Sequence, residues 1–281
     1  MRRNLLREKL NANQPTVGTH LLSTWPTLVE LVGQSRQYDY IEFTAEYAPF
    51  DLHDLDNLGR AFELAGVGGM IKIEQTQYTH QAMRAIGSGF QSVLFADIRD
   101  VGDARAAVDA VRAETLAQAG SRGVGRLGVG MRRDVGMIQE VGKPSYVEAL
   151  NDIVIAIMVE KKSCLDDLEA ILSVPGLDMV QFGPSDYSMS IGKPGQGDDP
   201  EVRAAERKTI ETALRLGLHP RVELQDPTHA GRYLEMGVKH FCIGWDVGIL
   251  AKWWDANGRA MRQILDKGVA EAAPAGQARL Y

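Results

Sequence analysis

Residues 153–160, IVIAIMVE, and residues 178–186, DMVQFGPSD, decide how the rest of the chain is read. Each is a short apolar run that stops abruptly at a polar residue. Unbroken apolar runs of this length fit strands buried on both faces, as in a parallel sheet, better than the half-solvated strands of an antiparallel one. Helical periodicity from Cys164 to Leu172 separates them, so the unit reads strand, helix, strand. The second run breaks at Gly183 and Pro184 just before an acid, Asp186, and the first ends in another, Glu160.

The same alternation extends in both directions. Strand-like runs occur at TVGTHLL (16–22), YDYIEF (38–43), GGMIKIE (68–74) and SVLFAD (92–97) before this unit, and at HPRVEL (219–224) and HFCIGW (240–245) after it. Helical patterns are expected at 52–64, 103–119, 201–216, 227–236 and 247–265. Eight strand and helix units with no Pro/Ser-rich linker predict an α/β fold, a single (β/α)8 TIM barrel over residues 1–265, with a loose Ala/Gly-rich tail over 266–281. The glycine-rich segment from Ser121 to Asn151 is too long for an ordinary connection and is expected to be a functional loop.

The chain has 281 residues, 44% hydrophobic and 24% charged, with a net charge of -6. No global basic field is available for nucleic acid or an anionic membrane. The opening MRRNLLREKL carries five charges and leads into no apolar span, so a soluble, cytoplasmic protein is expected. Two cysteines, Cys164 and Cys242, far apart and without zinc spacing, argue against a disulfide framework or zinc site. The histidines His53, His80, His219, His229 and His240 show no metal spacing either, and the GVGRLGVG run lacks the spacing of a dinucleotide fingerprint.

In a barrel the ligand site lies at the carboxyl ends of the strands. Glu160 and Asp186 end neighbouring strands about 4.8 Å apart. Two such carboxylates either share a cation or each pair with a base, Glu160 with Lys161 or Lys162 for instance. Two protein oxygens with open positions suit Mg²⁺ or Mn²⁺, which keep water or substrate oxygens as further ligands.

EYAP after the second strand, RGVG at 122–125, the strand ending in Glu160, GPSDYS at 183–188 and IGWDVGILA near the last helix together resemble the HpcH/HpaI aldolase family, to which the citrate lyase β-subunit is a more distant relative. The resemblance spans roughly residues 5–260. It implies a metal-dependent class II aldolase acting on 2-oxo acids, with Mg²⁺, Mn²⁺ or Co²⁺ held by Glu160 and Asp186. It further implies main-chain N–H groups of Ser185 and Asp186 on the substrate carboxylate, Arg122 at the pocket mouth, and a trimeric or hexameric homo-oligomer joined through the last helix.

Departures from the family pattern are concentrated near the expected site. Thr44-Ala45-Glu46-Tyr47 stands where the family reads Asp-Gly-Glu-His, so the usual acid/base His is missing. Lys72 replaces a substrate-binding Arg, Met158 replaces a Gln, and Gly87 replaces an Asp. Lys72 is left to neutralise the developing oxyanion. Three residues stand in for the lost base: Tyr47, if a nearby cation lowers its pKa; His20, ending the first strand; and Glu42, expected inside the barrel beside Lys72. Each also has an ordinary reading as packing, rim or ion-pair residue. The leading expectation is a metal-dependent carbon–carbon lyase working through an enolate. Condensation, decarboxylation or hydrolysis of an activated acid remains open, as does a non-catalytic metal-binding barrel.

Overall fold

A computed structural model describes residues 3–116 and 122–267. Eight parallel strands close into a barrel in sequence order: β1 Thr16–Leu21, β2 Tyr40–Thr44, β3 Gly68–Ile73, β4 Ser92–Phe95, β5 Val154–Val159, β6 Met179–Phe182, β7 His219–Leu224 and β8 His240–Trp245. All eight expected strands are present, and helices lie between them.

Strand periodicity sorts the side chains into two shells. Ile41, Phe43, Ile71, Ile73, Ile155, Ile157 and Val159 pack outward in the large core beneath the helices. The alternate positions Tyr40, Met70, Leu94, Val154, Ala156, Met158 and Met179 form a second cluster within the barrel. Leu6 and Leu10 join that cluster from the helix Leu5–Asn11, an element not expected from sequence, whose apolar face plugs the amino-terminal end. Gly18 makes room for the Tyr40 ring: a Cβ there would lie 2.4 Å from a ring carbon.

Below the strands, Asp178 is buried and accepts two hydrogen bonds of 2.6 Å from Arg7 and one of 2.9 Å from the Ile155 N–H. Arg112, fully buried, donates to the carbonyls of Leu150, Ile153 and Arg122. His240 Nδ1 meets the Thr16 hydroxyl at 2.9 Å, and burial lowers the His240 pKa to about 3, so it is neutral. These groups hold the amino-terminal face, the part of a barrel that serves stability. At the opposite end Asp246 opens the last helix and accepts N–H groups from Leu22, Ser23 and Val247 at 2.8–3.0 Å, tying β8 to the turn after β1.

Several boundaries differ from the sequence expectation. The helix expected over 103–119 is Val101–Asp109; beyond Ala110 the chain turns and is held by Arg112, and the rest of that stretch lies partly outside the described residues. The long loop carries a helix of its own, Pro144–Asp152, leading into β5. The last helix runs Asp246–Lys267, two residues into the expected tail. The rest of that tail lies outside the described residues.

Candidate active site

A cavity of about 640 Å³ opens at the carboxyl ends of the strands. Its lining includes His20, Glu42, Thr44, Tyr47, Lys72 and Met158. Glu160, Ser185, Asp186, Arg221, Glu223 and Trp245 also line it. Inward strand parity accounts for much of this set: Glu42 and Thr44 follow Tyr40, Lys72 follows Met70, and Glu160 follows Met158.

Glu160 is 3% exposed, and its Oε1 accepts the Asp97 N–H at 2.7 Å. Burial pushes its carboxyl pKa up, Lys72 opposes that rise, and the nearby Asp186 charge adds to it. Gly183 supplies the room this carboxylate needs, since a Cβ there would lie 2.6 Å from Oε2. Pro184 at the first position of the helix Pro184–Ser190 turns the chain immediately after β6 and presents Asp186. The first helical bond is from Tyr187 N–H to the Gly183 carbonyl, leaving the N–H groups of Ser185 and Asp186 without helical acceptors.

The expected base partners of Glu160 go elsewhere. Lys161 Nζ sits between two other acids, 2.6 Å from Asp97 and 3.0 Å from Asp186, and Lys162 pairs with Asp166. Asp186 therefore keeps one oxygen beyond its Lys161 contact, and Glu160 keeps Oε2. No group of three or more His, Cys, Asp or Glu side chains is placed to hold a metal among the described residues. A pair of carboxylates, one buried in a cradle that a side chain at Gly183 would fill, fits a hard divalent cation that retains outside oxygen ligands.

Lys72 is bound to Glu46 rather than Glu42, with Nζ 2.6 Å from Oε2, and lies 3.5 Å from the Tyr47 hydroxyl. Burial alone would lower the Lys72 pKa, but Glu160 and Glu46 outweigh it, so the ammonium stays charged. Tyr47 departs from expectation. Burial raises its phenol pKa to about 12, more than Lys72 lowers it. The residue is 59% exposed and water screens part of that rise, but the direction leaves the phenol protonated, a proton donor and not a resting base.

Glu42 is likewise not a free base. Both of its oxygens are engaged, Oε2 by Arg221 and Oε1 by the Thr44 hydroxyl at 3.3 Å. Burial would raise its pKa, but Arg221, His20 and Lys72 together lower it. Arg221, fully buried, also donates to Gln181 and to the Tyr40 hydroxyl at 2.7 Å. Sequence reading missed Arg221 as a site residue; its inward position on β7 was the available signal.

Arg122 is a correction. It lies on the amino-terminal side, 3.4 Å from Asp178 and 2.8 Å from Asn11, away from the cavity of its own chain. It helps hold the barrel floor with Arg7 and Arg112. Gly87 also lies elsewhere, in a second cavity of about 530 Å³ lined by Leu52, Met83, Leu127 and Tyr146. The altered positions that meet in the main cavity are thus Thr44, Tyr47, Lys72 and Met158.

An acid closing β5, a second acid on a Gly-Pro turn after β6 and a shared cavity form the arrangement to compare with known proteins. Residues 18–252 match the HpcH/HpaI aldolase/citrate lyase family. The chain belongs to that family. Membership makes it a lyase, and the family is generally dependent on a divalent metal. The chain is 28% identical to a hydroxypyruvate/pyruvate aldolase of Pseudomonas aeruginosa, over 99% of this chain and 98% of that one. It is 26% identical to the 4-hydroxy-2-oxo-heptane-1,7-dioate aldolase of Salmonella heidelberg, over 90% and 93%. The crystal structure of an HpcH/HpaI aldolase from Desulfitobacterium hafniense superposes with a TM-score of 0.82 at 24% identity, covering 93% of this chain and 98% of that chain, a likeness of fold.

Proposed function

We propose that this lyase cleaves or forms a carbon–carbon bond next to the carbonyl of a 2-oxo acid, through an enolate, with Mg²⁺ or Mn²⁺ held by Glu160 and Asp186. The observation that carries this reading is the buried Glu160 carboxylate, facing the same cavity as Asp186 and hydrogen-bonded to no base among the described residues. A divalent cation there supplies Lewis acidity toward the 2-oxo acid's oxygens.

The chain's own groups do the rest. The N–H groups of Ser185 and Asp186 receive the substrate carboxylate. Lys72, kept charged by Glu46 and Glu160, stabilises negative charge developing on the carbonyl oxygen. Tyr47, protonated beside Lys72, donates the proton that quenches the product carbanion or alkoxide, while His20, lining the same cavity, serves as the acceptor. Glu42 holds Arg221 and the charge balance of the floor.

The test uses pyruvate as a minimal donor. Proton NMR in D₂O follows exchange of its methyl group with metal-stripped protein and after Mn²⁺ or Mg²⁺ is restored. Exchange is expected with metal and not without it; equal rates in both states would refute the reading.

We also propose a homo-oligomer built on the helix Asp246–Lys267. Ile249, Leu250, Trp253, Trp254, Met261 and Ile264 are all more than 40% exposed on it. An apolar face of that extent on a protein surface calls for a partner, and a second copy offers the same face by symmetry. Light scattering should give a multiple of the 30.8 kDa chain, and a Trp253→Asp/Trp254→Asp variant a smaller species. A monomeric wild type would rule this out.

A further inference from the structure

Beside His20 the cavity wall carries two residues, Glu223 and Trp245, that the enolate chemistry does not use. Glu223 faces the opening with its side chain 34% exposed, and its Oε2 accepts the Gln181 amide at 3.2 Å. Its Oε1 lies 3.5 Å from His20 Nδ1, and that nitrogen is buried without a hydrogen-bond partner. The register shift between β1 and β8 sets Trp245 opposite His20, with ring centroids 5.7 Å apart, and Gly244 beside it takes a positive φ of 67°.

A carboxylate oxygen and an unpartnered imidazole nitrogen, too far apart to satisfy each other well, are matched by a ligand group that both donates and accepts. A hydroxyl does this; a carboxylate cannot donate and would be repelled by Glu223. Cations on this side are already engaged. Arg221 spends its three nitrogens on Tyr40, Gln181 and Glu42. Arg203 is bound to Asp198 and Glu206, and Arg232 lies over the Tyr233 ring at 4.5 Å, donating to its hydroxyl.

We propose that His20, Glu223 and Trp245 form the subsite for the carbonyl partner of the reaction, and that they select a hydroxyl-bearing aldehyde over one carrying a second carboxylate. Trp245 gives the partner's carbon chain an apolar wall, and the Glu223–His20 gap takes its hydroxyl. The inference rests on the lyase reading for the role of the partner, but the subsite itself is readable without turnover.

The experiment compares glyceraldehyde with succinic semialdehyde as acceptors for pyruvate in the presence of Mn²⁺. Wild type is expected to favour glyceraldehyde by at least about tenfold in kcat/KM, since a site built to pair with a substrate hydroxyl rejects a ligand that leaves its polar groups unpaired. Glu223→Gln should bring the ratio within about threefold of unity. Saturation-transfer NMR of the two aldehydes with metal-free wild type reads the same preference without chemistry. Equal use of both aldehydes by wild type, or a ratio unmoved in Glu223→Gln, overturns the proposal. Selective saturation of glyceraldehyde in a protein that exchanges no pyruvate proton upholds the subsite and removes the enolate reading. Pyruvate exchange with no discrimination by either readout removes the subsite alone.

Discussion

Glu160→Gln should lower metal-dependent proton exchange of pyruvate by about 1,000-fold, the loss of roughly 4 kcal/mol of stabilisation. The substitution is nearly isosteric. Its amide oxygen still accepts the Asp97 N–H, which in the native site is 2.7 Å from Oε1, and the Gly183 cradle still fits the side chain. What disappears is the charge. Mn²⁺ affinity, followed by electron paramagnetic resonance of the free ion, should fall in parallel, because Asp186 alone remains and shares an oxygen with Lys161. The metal-free variant should melt no lower than wild type, since a buried carboxylate without a hydrogen-bonded base costs desolvation energy. Unchanged Mn²⁺ affinity would remove Glu160 from the ligand set. A large fall in melting temperature would make it a structural residue.

Arg221→Leu is the substitution expected to damage stability most, by about 3–5 kcal/mol, because it strands the Glu42 carboxylate in the barrel interior. Glu42 is 2% exposed, and Tyr40 and Gln181 lose their partner with it. A second change, Glu42→Leu, in the same chain should recover more than half of the loss, since an apolar pair of similar volume replaces an ion pair at little cost. The pH dependence should reverse sign. In wild type the Glu42 pKa is lowered, so its contribution is present above the ordinary carboxylate range and fades as pH falls through the native value. In Arg221→Leu burial acts unopposed by Arg221 and the native pKa rises, so stability is retained at low pH and lost as pH climbs through that value. Urea unfolding from pH 4 to 8 separates the two cases, and a loss below about 1 kcal/mol at neutral pH would show that Arg221 does not hold the floor.

The order of strands, their closure into a barrel and the position of Glu160 and Asp186 were legible from residue order alone. These depend on local periodicities, on Gly183-Pro184 ending a strand, and on the rule that barrels place polar strand ends at one mouth. Lys72 and Tyr47 were legible as occupants of the cavity for the same reason. Partner choice was not. Glu42 meets Arg221, 179 residues away, because closure of the barrel brings side chains of β2 and β7 to the same height, and Lys72 meets Glu46, on the turn after the neighbouring β2, instead. Glu223 became visible only when the β1 and β8 register set His20 and Trp245 beside it.

Arg122 makes the complementary case. A matching RGVG motif placed it near substrate, yet its guanidinium goes to Asp178 and Asn11 at the other end of the barrel. A motif specifies the residue types along a loop, while the direction in which the loop's side chains project follows from what the surrounding chain offers them. Here the offer was a buried carboxylate already facing Arg7 and Arg112. Sequence by itself determined the barrel and its two acids, since strand period and strand ends are local properties of the chain. Only the tertiary structure decided which charge neutralises which, since that depends on strand register and on distances between residues far apart in sequence.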